Sequence, residues 1–316
     1  MSIQQPTAPA LAAAREALIA LLPRLAADTA RLVPGVTLRD RTAVTDFHAL
    51  ASEAIGTHRP DITSQGYLVP ARTSTLSVCR IPALPRPEKP IAVFLPGLLS
   101  WLPVTAVRAL AFVDLFDVVL CELPGHGASE PCAEVSLTAF AEEVAGLLDT
   151  ALARAPVVTL IGESLGGLVA LALARIRPER LRNIILVDVP FQLTRPALAV
   201  GIAEAWRAAG RPPYVRRICN EIMGFDPATG TSRSLTPLGQ LWREARQPSA
   251  HLLGGDNLAS RFASVVTEGD VADLRAANPA MLIPPRIPNT GHAVLLDNPE
   301  AVTEILRSIL IPTGRN

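Results

Sequence analysis

A serine set among glycines, a histidine near the chain's end and a few acids between them are the residues here whose types and order suit nucleophilic catalysis. Ser164 stands in Gly162-Glu163-Ser164-Leu165-Gly166, a G-x-S-x-G sequence. A serine hydroxyl is a poor nucleophile at neutral pH, so it needs a base within hydrogen-bond reach, and that base needs an orienting partner. His292, after Gly291 and ahead of the Asn298-Pro299-Glu300 helix start, is a candidate base, and acids stand at Asp188, Glu268 and Asp270. Such a set performs acyl transfer through an acyl-serine, chemistry that needs no cofactor and no metal.

The serine needs a sharp strand-to-helix turn, and its flanks supply one. Val157 to Ile161 is a β-branched apolar run, and the alanine-rich stretch from Leu165 to about Ile176 is helical in pattern. Small neighbours at Gly162, Gly166 and Gly167 relieve the crowding around strained backbone angles at the serine. The helix starting at the serine turns its N-terminal amides and positive dipole end toward any oxyanion formed there. A bare G-x-S-x-G also occurs as an ordinary glycine-rich β-to-α turn, so the reading depends on the acid and the histidine.

Strands and helices alternate around this turn. A strand pair is expected at 67–70 and 75–81, followed by strands at 91–95, 116–121 and 183–188, with helices at 104–112 and 137–152, the latter capped by Ser136. This alternation predicts an α/β fold: a mostly parallel sheet with helices on both faces. From Pro190 to about Arg261 the strand signal vanishes and helical fragments appear at 197–209, 214–223 and 238–245. Placed after a strand's carboxyl end, an insertion at about 191–261 sits over the crevice where open α/β sheets bind ligands, and reads as a cap. The sheet is expected to resume at 262–266 and 280–285, with a last helix from Pro299 through about Leu310. Residues 1–65 read as a helical N-terminal extension to a main domain at 66–316. One helix is expected over 8–32, with Thr7 as N-cap and a break at Pro23, and another over 42–55, stopped by Gly56. The extension serves as an oligomerisation or lid-like element or, more simply, packs on the domain's flank.

Lysine plus arginine equal aspartate plus glutamate, 29 against 29 in 316 residues, so there is no electrostatic footprint for nucleic acid or an anionic membrane. The expected partner is a small, mostly uncharged molecule. Cys79, Cys121, Cys132 and Cys219 lack metal-ligand or C-x-x-C spacing and read as buried thiols in a reducing compartment. No positive n-region precedes an apolar core at the N-terminus, and charges or prolines punctuate every apolar window, so neither a signal peptide nor a membrane span is expected. The expected location is the cytoplasm.

With these residues in view, the chain from about Gly66 resembles the α/β-hydrolase fold family. Four pieces match in order: Leu95-Pro96-Gly97, Leu123-Pro124-Gly125-His126-Gly127, Gly162-Glu163-Ser164-Leu165-Gly166, and Gly291-His292. The family's order of nucleophile, acid and histidine is met by Ser164, Asp270 and His292. The resemblance implies that His292 takes and returns the serine proton, that Asp270 orients the ring, and that the amides of Leu98 and Leu165 form the oxyanion hole. It also offers Asp188 as the alternative acid position, and Glu268 stays open beside Asp270. The chain departs from the pattern at Thr267, where a glycine often begins the acid's turn, and at Pro96, where many members carry histidine. His126 is expected to shape its turn, and His48, His58 and His251, with no motif around them, to be structural or exposed.

The expectation is a serine hydrolase cleaving a carboxylic ester of a small or medium apolar substrate. Thioester cleavage, carbon-carbon bond hydrolysis and acyl transfer use the same machinery. A carboxylate-bearing substrate would call on Arg207, Arg211, Arg216, Arg217 or Arg243 from the cap. A protein of this fold that binds a ligand without turning it over is the reading of a different class.

Overall fold

The computed structural model describes residues 41–82, 84, 86–193, 196–232, 238–247, 249–255 and 263–310. Strands covered by helices on both sides must be apolar on both faces. The central ones are: every residue of β4 (Asp117–Cys121) and β5 (Val158–Glu163) is buried. With β1 (Gln65–Pro70), β2 (Thr75–Ile81), β3 (Ile91–Leu95), β6 (Leu181–Val187) and β7 (Ser249–Leu252) they form one sheet in the order β1-β2-β4-β3-β5-β6-β7. The β1–β2 and β2–β4 pairs are antiparallel and all others parallel. Successive side chains of a strand face opposite sides. Accordingly Val93, Leu95, Val119 and Leu160 join one apolar cluster with α3 (Leu137–Asp149) and α4 (Leu165–Ile176), while Ala92, Phe94, Val118 and Ile161 join another. That second cluster takes in α1 (Arg41–His58), α2 (Leu102–Ala109) and α10 (Pro299–Leu310). The chain has the α/β architecture expected of it.

The first expected helix, 8–32, lies outside the described residues. The second is α1, whose Phe47, Ala51 and Ile55 are buried against the domain. Its apolar stripe is thus used inside this chain. Among the described residues no helix is long and apolar enough to cross a membrane, and all four cysteines are buried and free.

After β6 come α5 (Pro196–Ala208), α6 (Pro213–Ile218), a π-helical turn at Cys219–Met223 and α7 (Gly239–Glu244). The sheet then resumes at β7, inside the range expected to be cap and ahead of the expected strand at 262–266. Residues 263–266 carry no strand. The expected strand at 280–285 reduces to single bridges, Ala250 to Leu282 and, beyond it, Gly254 to Ile287. Ser249-Ala250-His251-Leu252 is short and has no β-branched residue, so its pattern gives no strand signal; its conformation follows from in-register pairing with Ile184 to Val187. Ser264 and Val265 put their donors elsewhere, as described below. The chain closes with α8 (Glu268–Ala277), α9 (Val294–Asp297) and α10.

One buried acid ties α3 to the β1–β2 turn. Glu143, 2% exposed, accepts from the Thr73 amide (3.0 Å), the Ser74 amide (3.2 Å), the Ser74 hydroxyl (2.9 Å) and the Thr73 hydroxyl. Burial raises its pKa, but these donors outweigh burial and hold it below the ordinary value of 4.5. A lowered folded pKa stabilises above the unfolded value and is lost as pH falls through the folded one. Glu143→Gln should therefore cost about 1.5–3 kcal/mol in urea unfolding at pH 7. The gap between the two proteins should narrow below pH 4.5, and equal stability at pH 7 would reject this account.

Candidate active site

Ser164 lies between β5 and α4 with φ 50° and ψ −117°, a left-handed backbone for a non-glycine residue. Sterics hold it there: a Cβ on Gly166 would strike the Leu95 carbonyl, and one on Gly162 would strike Gly167, so the turn closes only with glycines. The Ser164 amide donates to Val187 O (3.1 Å), and its carbonyl accepts from Gly167 N (3.0 Å). Its side chain caps no helical amide. The hydroxyl instead meets His292 Nε2 at 3.2 Å.

His292 Nδ1 lies 2.7 Å from Asp188 Oδ2. An ionised carboxylate only accepts, so Nδ1 carries the hydrogen and the neutral ring leaves Nε2 to accept from the Ser164 hydroxyl. Asp188 follows β6 with φ 44°, and β5 and β6 are paired with Glu163 opposite Val187. Ser164 and Asp188 therefore leave adjacent parallel strands at matching positions. Asp188 is fully buried. Its carboxylate also accepts from the Ser264 hydroxyl (2.6 Å), the Val265 amide (3.0 Å) and the Gly254 amide (3.1 Å). Arg286 braces that cradle, donating to the carbonyls of Gly254 (2.7 Å) and Val266 (2.8 Å). Burial pushes the Asp188 pKa up, but its bond to His292, the imidazolium charge and the Ser264 and Val265 donors outweigh burial and hold it below the ordinary carboxylate value. Burial pushes His292 down; the bond to Asp188, that acid's charge and the Glu163 charge outweigh it, with Arg108 opposing, and the ring ends above its ordinary value.

The expected acid is therefore corrected: the partner of His292 is Asp188, not Asp270. Asp270 is in the first turn of α8, where Oδ2 accepts from the Thr267 amide (2.7 Å) and hydroxyl (3.0 Å), while Thr267 Oγ1 accepts from the Asp270 amide (3.3 Å). That is a reciprocal capping box, which commits the carboxylate to a helix start. Thr267-x-x-Asp270 is legible as such a box in the sequence and takes the place of the strand-end turn expected there. Glu268 is exposed and paired with Arg286 (2.6 Å). The two expected oxyanion donors sit on the segments bordering Ser164. Leu165 begins α4; Leu98 follows Gly97, where a Cβ would stand 3.2 Å from Ser164 Cβ.

Other histidines have structural places. His126 is buried in its turn with Nδ1 donating to Pro124 O (3.1 Å), His48 meets Ser77 Oγ (3.1 Å), and His58 meets Ala54 O (2.8 Å). His251 is fully buried behind the acid; its Nε2 accepts the Val189 amide (3.0 Å), its ring packs on Trp242, and burial lowers its pKa to about 4. Sequence reasoning missed the buried Arg108–Glu163 pair beside the serine (2.7 Å) and the Ser264 cradle, since neither belongs to a motif. The arginines expected to serve a substrate carboxylate, 207, 211, 216, 217 and 243, are exposed, with Arg216 paired to Asp226 and Arg217 to Glu221. Among the described residues no group of three or more His, Cys, Asp or Glu side chains could hold a metal ion.

Comparison with known proteins agrees with this fold. The family described as "Alpha/beta hydrolase family" matches residues 92–305. A curated relative, the dihydrolipoyllysine-residue acetyltransferase component of the acetoin cleaving system of Cupriavidus necator, is 32% identical over 158 residues, 44% of this chain and 41% of that protein. This chain thus aligns with less than half the length of that relative. Among solved structures, naproxen esterase (carboxylesterase NP) from Bacillus subtilis superposes with TM-score 0.61 at 16% identity, covering 88% of this chain and 100% of that one. E-2-(acetamidomethylene)succinate hydrolase superposes with TM-score 0.58 at 22% identity, covering 78% and 99%. At such identities the likeness is one of fold.

The two acids separate in a titration. By NMR, the His292 ring should titrate above its ordinary 6.5 in the wild type and fall in Asp188→Asn, which removes both the bond and the charge. Asp270→Asn should leave that midpoint in place; a fall there and none in Asp188→Asn would reverse the assignment.

Proposed function

The chain belongs to the alpha/beta hydrolase family, and we propose that within it this protein is a serine hydrolase that cleaves a carboxylic ester of a small or medium apolar substrate. The observation that carries the reading is the chain of hydrogen bonds from Ser164 through His292 to Asp188, with the serine held in a left-handed turn. In this reading Ser164 Oγ attacks the ester carbonyl as His292 Nε2 takes its proton. Asp188 keeps the ring in the required tautomer and stabilises the imidazolium. The amides of Leu98 and Leu165 receive the oxyanion. On collapse, His292 returns the proton to the departing alcohol, and a water activated by the same ring releases the acid.

Apolar preference is supported by the surroundings. Leu165 and Leu98 belong to or pack on the same apolar cluster as the post-β6 residues Leu193, Trp206, Val215, Ile218 and Met223. The exposed arginines of that segment give a substrate carboxylate no buried partner. A second reading, acyl transfer to an acceptor other than water, is favoured by the acetyltransferase description of the curated relative; thioester cleavage and carbon-carbon hydrolysis use the same atoms. Products distinguish these readings.

The test is a fluorophosphonate probe read by intact mass. Wild type should take one adduct and Ser164→Ala none; a folded wild type without adduct would overturn the hydrolase reading in favour of ligand binding without turnover. On a nitrophenyl ester, Asp188→Asn should lower kcat by about 10⁴-fold. Asp270→Asn should leave kcat unchanged and cost only about 1 kcal/mol of stability, as expected for a helix cap. Because the base must be neutral, the raised His292 pKa places the acidic limb of the pH–rate profile above 6.5.

A further inference from the structure

The loop that carries Leu98 has few hydrogen bonds of its own, although Leu98 and Leu99 pack on one apolar cluster and Arg108 reaches the Ser100 hydroxyl at 3.5 Å. It runs from Gly97 to Trp101, between β3 and α2, and closes on one bond from the Ser100 amide to Gly97 O at 3.3 Å. Leu99 within it takes φ 61°, a conformation that persists in a non-glycine residue only where the surroundings impose it. Trp101 ends the loop as the extended N-cap residue of α2, with no side chain capping the helix there. Its carbonyl takes the Val104 amide (3.2 Å), the Thr105 amide (3.1 Å) and the Thr105 hydroxyl (3.1 Å), which fixes the helical end of the loop. Its ring is met edge-on by Phe47 of α1, centroids 6.1 Å apart and planes at 89°.

Phe47 is itself held fast. It is 3% exposed, and one and two turns further along α1 Ala51 and Ile55 are fully buried in the cluster that holds Leu102, Ala106 and Ala109 of α2. Next to it, His48 bonds Ser77 of β2 and packs on Gly66, where a Cβ would strike the imidazole. So α1 is fastened to the sheet edge and to α2, and it presents one ring to the base of the loop. This helix lies before the 92–305 segment that matches the family.

We propose that α1 positions the oxyanion loop, with Phe47 acting through Trp101 as a positioning residue for the reaction. The inference rests on the hydrolase reading. An oxyanion donor works only within about 2.7–3.1 Å of the developing charge. A loop released from Phe47 lets the Leu98 amide drift from that distance, while Ser164, His292 and Asp188, carried by other segments, stay in place. The loss then falls on the transition state and not on substrate binding.

The experiment uses the full chain and compares wild type, Phe47→Ala, Phe47→Leu and a control, Phe140→Ala. Phe140, on α3, is equally buried but belongs to the cluster on the opposite face of the sheet. The readouts are the rate of fluorophosphonate adduct formation at Ser164 per folded molecule, since the phosphonyl oxygen occupies the oxyanion position, together with kcat and KM on a nitrophenyl ester. Phe47→Ala should slow labelling and kcat by about ten- to a hundredfold with KM little changed. Phe47→Leu, which keeps apolar fill without the ring edge, should slow both by about threefold. Phe140→Ala should label at the wild-type rate. Wild-type labelling in Phe47→Ala, or an equal slowing in Phe140→Ala, overturns the proposal. If Phe47→Ala yields no folded protein, Phe47→Leu decides alone, and a wild-type rate there overturns it. A wild type that takes no adduct fails the hydrolase reading first, and this inference with it.

Discussion

A carboxylate with no access to water must be paired, hydrogen-bonded or neutral, and Asp188 is such a group. Its four donors come from distant parts of the chain: Gly254 beyond β7, Ser264 and Val265 before α8, and His292 before α9. Satisfying that single charge fixes the course of the segments that follow β7. Residues 263–266 accordingly form no strand, because their donors turn inward to the acid. The Arg286 guanidinium then gathers the carbonyls that this course leaves over.

The second constraint is steric. Ser164 holds φ 50° because the strand before it, the helix after it and the Leu95–Pro96 backbone leave room for no other path, and the glycines on both sides are the residues that fit it. The serine hydroxyl is thereby kept off the helix amides and free to meet the imidazole. Glu163, which precedes Ser164 in the chain, is paired with the partly buried Arg108 at 2.7 Å; its charge raises the His292 pKa and Arg108 opposes it.

The central sheet is legible in the sequence because its strands are apolar runs, and the turn at Ser164 because its glycines are sterically obligatory. The histidine that meets Ser164 is legible too, since Gly291-His292 follows the last apolar run before the final helix. The acid is not, because choosing between Asp188 and Asp270 requires knowing which strands form, and β7 has a sequence that pairs only because β6 lies beside it. The Thr267–Asp270 box is a local signal of a helix start, and it competes with the acid position that the resemblance places at Asp270. Phe47 has a helical pattern but no local mark of its partner, since Trp101 lies beyond three strands and a loop.

Glu163 and Val187 are paired neighbours on parallel strands, so the reach from Ser164 to Asp188 is a property of strand spacing, about 4.8 Å in any sheet. It owes nothing to the 60-odd residues that intervene between Asp188 and β7. That stretch can lengthen, shorten or be exchanged while two of the three proposed catalytic groups keep their separation, leaving only the histidine loop to be re-aimed. In such a layout the make-up of the segment between the two strand ends and the spacing of Ser164 from Asp188 are separate inheritances.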